Sequence, residues 1–128
     1  MSTAVRQENV AVWFEIPAAN FERAVAFYET IFDTRLIREK FGPADMAVFP
    51  HAESAASGCI MKGDGYKPTR EGCLVYLNSK VDLDVPLSRV KQAGGSVALP
   101  KTALPPGMGF FAHFVDCEGN RVGIHSMN

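Results

Sequence analysis

The sequence predicts an α+β domain made of two βαβββ modules in tandem. Three observations carry this reading. Short apolar runs, rich in β-branched and aromatic residues, recur between clusters of Gly, Pro, Asn and Asp. One segment in each half spaces its apolar residues as a helix does. The chain closes on two apolar runs around Asp116-Cys117-Glu118-Gly119-Asn120, a hairpin signal in which Gly119 supplies the positive φ that a bulged or four-residue loop requires.

Residues 1–8 are polar and lie outside the first element. Residues 9–16 read as the first strand, ended by Pro17. Asn20 is an N-cap candidate, and Phe21, Ala24, Val25, Phe27, Tyr28, Ile31 and Phe32 then fall on one helical face. Residues 35–39, 46–50 and 58–62 complete the first module as strands, with Gly42-Pro43 turning the chain between the first two. Residues 9–62 thus form one module and residues 63–72, the stretch richest in Gly, Pro and polar residues, a linker. Residues 73–126 repeat the order. A strand at 73–78 leads to a helix through Leu83, Leu87 and Val90, capped by Asp82 or Asp84 and ended by Gly94-Gly95. A strand at 96–100, a Pro/Gly-rich loop at 101–109 and the closing hairpin follow. A shift of 65 residues superposes Ala47 on Ala112, Phe49 on Phe114 and Gly58 on Gly123; a shift of 62 superposes Asn20-Phe21 on Asp82-Leu83.

The totals suit one domain of 128 residues, 47% hydrophobic and 21% charged. With 13 basic against 14 acidic residues there is no cationic excess to neutralise phosphates, so nucleic acid is not an expected partner. No apolar run approaches a membrane span, and the start has no apolar leader segment. Cys59, Cys73 and Cys117 are an odd number without C-x-x-C spacing, which predicts free thiols in a reducing, cytoplasmic setting.

The repeated order, the segment Ile16-Pro17-Ala18-Ala19-Asn20-Phe21 leading to Phe27-Tyr28, Gly94-Gly95, and Asp116-Cys117-Glu118-Gly119-Asn120-Arg121-Val122-Gly123 together resemble the vicinal oxygen chelate superfamily. That group comprises glyoxalase I, bleomycin-resistance proteins and extradiol dioxygenases. The resemblance runs from about residue 9 to 126. It implies curved mixed sheets around a cup, helices on the outside, a small-molecule ligand in the cup and a homodimer. Family enzymes hold a divalent metal there through His, Gln or Glu from the first and last strands of each module, where it stabilises an enediolate or activates dioxygen. Counting along the pattern puts those positions at Ala11, Gly58, Cys73 and Gly123, or at Trp13 and Val75 after a short slip. None supplies the hard donor set of the family. The expectation is therefore no cofactor, with a divalent metal at a nonstandard site left open.

Strand alternation groups Ala11, Trp13 and Glu15 on one face; the resemblance, which puts Ala11 at a ligand position, implies that this face is the cup side. Glu15 is a candidate general base or cation-binding group, or else a partner for an arginine such as Arg121. In glyoxalase I the corresponding position resembles an arginine that holds the glutathione carboxylate, so Glu15 disfavours that substrate. Arg121, Gly123 and His125 share parity on the last strand, which makes His125 a second candidate base and Arg121 a candidate ligand contact. The face of His113 is ambiguous by one residue of hairpin register, leaving a core role and a ligand-binding role both open. His51 falls in a loop. Trp13, Tyr76, Phe110 and Phe111 suit a planar ligand or, equally, the core. Met108, flanked by Gly107 and Gly109, sits in a loop suited to a lid. Three functions follow from these residues. One is a metal-free small-molecule binder. Another is a glyoxalase-like lyase or isomerase using Glu15 or His125, possibly with a nonstandard metal. The third is an interaction module.

Overall fold

The structure is a computed structural model that describes residues 9–128. Its elements are β1 (Trp13–Pro17), α1 (Phe21–Phe32), β2 (Ile37–Phe41), β3 (Ala44–Val48), β4 (Ser57–Lys62), β5 (Tyr76–Asn78), α2 (Asp84–Leu87), β6 (Ser96–Ala103), β7 (Phe110–Val115) and β8 (Arg121–Ser126). They form two four-stranded sheets, ordered β1-β4-β3-β2 and β5-β8-β7-β6. Each sheet has one parallel pair, β1 with β4 and β5 with β8, and is otherwise antiparallel. This is the α+β arrangement of two βαβββ modules.

Helix α1 begins where the spacing places it. The Asn20 side chain accepts the Arg23 backbone N–H, and Asp33 ends the helix in the left-handed region. Its buried face, Ala24, Val25, Phe27, Tyr28 and Ile31, meets both sheets. Tyr28 packs edge-on against Phe49, with centroids 5.8 Å apart, and lies 6.1 Å from Phe114 of β7. One core runs through Ile16, Ala47 and Ile60 of the first module and Leu77, Ala112, Phe114 and Ile124 of the second. Each sheet thus gives one face to the helices and this core, and its other face is open.

Several boundaries move. Strand β1 starts at Trp13, where β4 begins opposite it at Ser57, and β5 starts at Tyr76; Val10 and Val12 are exposed. Strands β2 and β3 sit about two residues from their predicted spans, joined by a tight turn with Gly42 at φ +58°. The second helix shrinks to one turn. Beyond Leu87 the backbone bonds turn irregular, with i→i−3 bonds such as Arg89 to Pro86 and Gly94 to Lys91 beside Ala93 to Arg89 and Gly95 to Val90, and Ser88 Oγ also donates to the Val85 carbonyl. Asp82 Oδ1 accepts the Asp84 N–H, which makes Asp82 the capping acid of the two candidates. Strand β6 runs on through Pro100 to Ala103 with two register shifts, which an edge strand tolerates.

The 65-residue shift holds for β3 and β7 and fails by one for β4 and β8. Ala47 pairs with Ile60, whereas Ala112 pairs with Ile124, so the first connection is one residue longer. Gly58 is therefore not the counterpart of Gly123; Cys59 is. Gly58 faces the core, where its missing side chain admits the ring of Phe14.

The closing turn ties the modules together. Glu118 Oε1 accepts the backbone N–H groups of Ala19 and Asn20 at 2.8 and 2.7 Å, and its other oxygen pairs with Arg23. Tyr28 Oη donates to Asp116 Oδ2 at 2.7 Å, and Asn120 Nδ2 donates to the Pro17 carbonyl at 2.7 Å. Gly119, at φ +96°, lets the turn close. The motif is thus explained by what it holds together.

Candidate functional site

The open face of the first sheet carries Trp13 and Glu15 of β1, Cys59 and Met61 of β4 and Met46 and Val48 of β3, as the register requires. Tyr66, from the stretch read as linker, folds back onto the Val48, Cys59 and Met61 cluster. Glu15 sits beside it, and the carboxylate is the leading cause that raises the Tyr66 phenol above its ordinary value, ahead of burial. Burial, then Glu15, pushes the Cys59 thiol up to about 12. Glu15 thus faces a thiol and a phenol. Arg121, weighed as its partner, is engaged elsewhere.

The open face of the second sheet holds a denser group. Tyr76, Gly123 and His113 lie side by side across three strands, with Tyr76 opposite Gly123 and Gly123 opposite His113. This register settles the face of His113: it is buried, yet on the open-face side. Tyr76 Oη lies 2.6 Å from His113 Nε2, and Arg121 Nη2 and Nε lie 2.9 and 3.2 Å from Nδ1. Burial, then the Arg121 charge, holds the imidazole below its ordinary value. Phe111 sets its ring edge-on to both Tyr76 and His113. Phe110, by contrast, packs against the core and under the Lys101 ammonium.

His125 is on the same face, opposite Phe111. Its Nε2 lies 2.8 Å from the Met108 carbonyl, so Nε2 donates there, and in the neutral ring Nδ1 presents a lone pair. The loop expected as a lid closes on itself through the Leu104 N–H to the Gly109 carbonyl. The Met108 side chain is exposed, and its backbone is what engages His125. Among the described residues, no hydrogen bond or aromatic contact joins the Trp13–Glu15 group to the Tyr76–His113–Arg121 group. They occupy different sheets.

Register also relocates the positions where metal ligands would stand. Glu15 opposes Cys59 as Tyr76 opposes Gly123, so the open-face positions paired across the first and last strands of each module are Glu15, Cys59, Tyr76 and Gly123. Ala11 and Cys73 precede the strands, and Gly58 points into the core. One carboxylate, a protonated thiol, a phenol and a glycine do not make the donor set of the family for a hard divalent cation. At Gly123 even the space is taken, since a Cβ there would strike the Tyr76 ring. Among the described residues, no cluster of three or more His, Cys, Asp or Glu is placed to hold a metal ion.

A separate cleft of ≈ 440 Å³ opens at the seam of the modules, lined by Phe14, Phe32, Phe49, His51, Leu77 and Ser79 among others. It lies on the core side. Sequence reasoning passed over Cys59 and Tyr66; a lone tyrosine in a polar Gly/Pro stretch was the only signal for the latter.

Comparison with known proteins places this arrangement. No curated protein sequence matches the chain. Among solved structures, a glyoxalase I mutant from Zea mays is similar, with a TM-score of 0.64 and 19% identity over 90% of this chain. The chain spans only 45% of that maize protein. The hypothetical protein SA1046 from S. aureus has a TM-score of 0.64 at 16% identity, covering 94% of this chain and 99% of its own. The fosfomycin resistance protein FosX from Listeria monocytogenes has a TM-score of 0.61 at 19% identity, covering 94% and 92%. At such identities these likenesses concern the fold. The family model for the Glyoxalase/Bleomycin resistance protein/Dioxygenase superfamily matches residues 11–124, nearly the whole chain, and the chain belongs to that superfamily.

Proposed function

We propose that this chain is a small-molecule-binding member of the superfamily that works without the family's divalent metal, in a cup completed by a second copy of itself. The observation that carries this reading is the pair Tyr76 and Gly123. A phenol ring fills the space that a ligating side chain would need, and Glu15 is the one carboxylate facing the paired positions.

A second copy is supported by the open faces themselves. Trp13 and Tyr76 are 43% and 46% exposed on faces that also carry Met46, Met61, Tyr66 and Phe111, the kind of surface that a partner covers. The span of 45% of the maize chain leaves room for a second copy in an assembly of that size. Glu15, among Trp13, Met46, Met61 and Tyr66, suits a ligand with a cationic group. Free thiols at Cys59, Cys73 and Cys117 suit the cytoplasm.

Protein purified without chelator is expected to carry no stoichiometric metal by elemental analysis, and to scatter light as twice the 13.9 kDa chain mass. Thermal-shift screening against cationic aromatics and glycopeptides is expected to find stabilising ligands, with or without EDTA. Stoichiometric Ni, Zn, Mn or Fe, or a monomer indifferent to every ligand, overturns the proposal.

One observation favours a second reading, a lyase or isomerase. The bond from His125 Nε2 to Met108 leaves Nδ1 free as a base on the same face as Tyr76. Turnover of a methylglyoxal hemithioacetal that is lost in His125→Gln or Glu15→Gln supports that reading.

A further inference from the structure

Tyr76, His113 and Arg121 form a chain of hydrogen bonds whose direction is set by chemistry. A guanidinium only donates. Two of its nitrogens converge on His113 Nδ1, at 2.9 and 3.2 Å, so Nδ1 presents its lone pair. A neutral imidazole with Nδ1 bare carries its proton on Nε2. That proton is given to Tyr76 Oη, 2.6 Å away. The phenol oxygen therefore accepts, and its own proton is free to point away from the protein.

The backbone explains why the three meet. Tyr76 and His113 lie on strands either side of β8, both opposite Gly123, and strands two apart are about 9.6 Å from each other. Side chains bridge that gap only if the residue between them has none. Gly123 is that residue, with the Tyr76 ring lying over it. Burial and the Arg121 charge keep His113 neutral, as the chain of bonds requires. Among the described residues Tyr76 Oη has no other partner, and the side chain is half exposed.

We propose that Arg121, His113 and Tyr76 are a one-way donor relay, and that the Tyr76 hydroxyl offers its proton to an anionic oxygen, a phenolate or enolate, on a flat ligand bound against Phe111. The inference rests on the reading of the cup as a small-molecule site and adds the ligand's class. The cationic end of the relay polarises the phenol through His113. It thus supplies through a hydrogen bond the neutralisation that a metal would give by coordination.

Long-range ¹H–¹⁵N spectra of the uniformly labelled full chain at pH 7 read the tautomer directly. The Nε2–H form of His113 is expected, and an Nδ1–H form or an imidazolium overturns the relay. In Arg121→Met the fixed tautomer is expected to give way to a mixture; its persistence removes Arg121 from the relay. Titration with 4-nitrophenol as its phenolate, followed by absorbance, is expected to show binding that Tyr76→Phe weakens about tenfold. The same loss is expected in Gly123→Ala, which drives the ring aside. Equal affinity in wild type and Tyr76→Phe, or no binding by wild type, overturns the proposal. Stabilisation by cationic aromatics in the thermal-shift screen would still stand in that case, separating failure of the relay from failure of the cup as a binding site.

Discussion

Cys59, Cys73 and Cys117 show how the surroundings of a residue decide its chemistry. Burial, then Glu15, lifts the Cys59 thiol to about 12; burial, then Asp116 and Glu118, does the same for Cys117. Against an ordinary 9.0 for the thiol, this lowers the thiolate population at neutral pH roughly 1,000-fold. Cys73 is exposed. A chromogenic disulfide reagent at pH 8 is therefore expected to modify one thiol quickly in the native protein and all three after denaturation. Cys73→Ser is expected to abolish the fast phase. A fast phase that survives this substitution would show that Cys59 or Cys117 is open to solvent. That Glu15 shares a face with Trp13 was legible from strand parity. Its neighbours were not, because Cys59 depends on a one-residue difference in loop length and Tyr66 on a long-range fold-back.

At the scale of elements, the closing turn is a cap supplied from the far end of the chain. Burial raises the Glu118 carboxyl; the N–H groups of Asn20 and Ala19 and the Arg23 guanidinium more than reverse this, leaving it below its ordinary 4.5. A carboxyl depressed in the folded state contributes stability that is fully present above its unfolded pKa and is lost as pH falls through the folded one. Glu118→Ala is expected to destabilise the fold by about 1–3 kcal/mol at pH 7, read from the urea midpoint. The gap from wild type is expected to be flat at neutral pH and to narrow as pH drops below about 4.5. A gap independent of pH down to acid denaturation would mean that the charge plays no part. Helix α1 was legible from residue spacing, since cap and apolar face agree. The second helix was not: Leu83, Leu87 and Val90 are all buried, but tight turns place them as well as a helix would.

At the scale of the whole molecule, the order of elements and the two-module plan could be read from the chain, since alternation and turn residues act locally. Pairing could not, because register is a contact between distant segments, and it decides whether His113 and Gly58 face the core or the open side. The same long-range contacts make the modules interdependent. Tyr28 donates to Asp116, and Phe114 closes over Phe27 and Tyr28. A chain stopped after residue 62 is expected to lack cooperative unfolding and to be digested rapidly by protease. A sharp thermal transition in that fragment would show that the first module stands alone.

During synthesis, the start of α1 leaves the ribosome long before the acid that caps it. Ala19 and Asn20 wait for Glu118, which lies 99 and 98 residues further along the chain. Until then the apolar face of α1 has only half its covering. The nascent helix is thus half exposed until the closing turn is made, and that turn converts two unfinished halves into one folding unit.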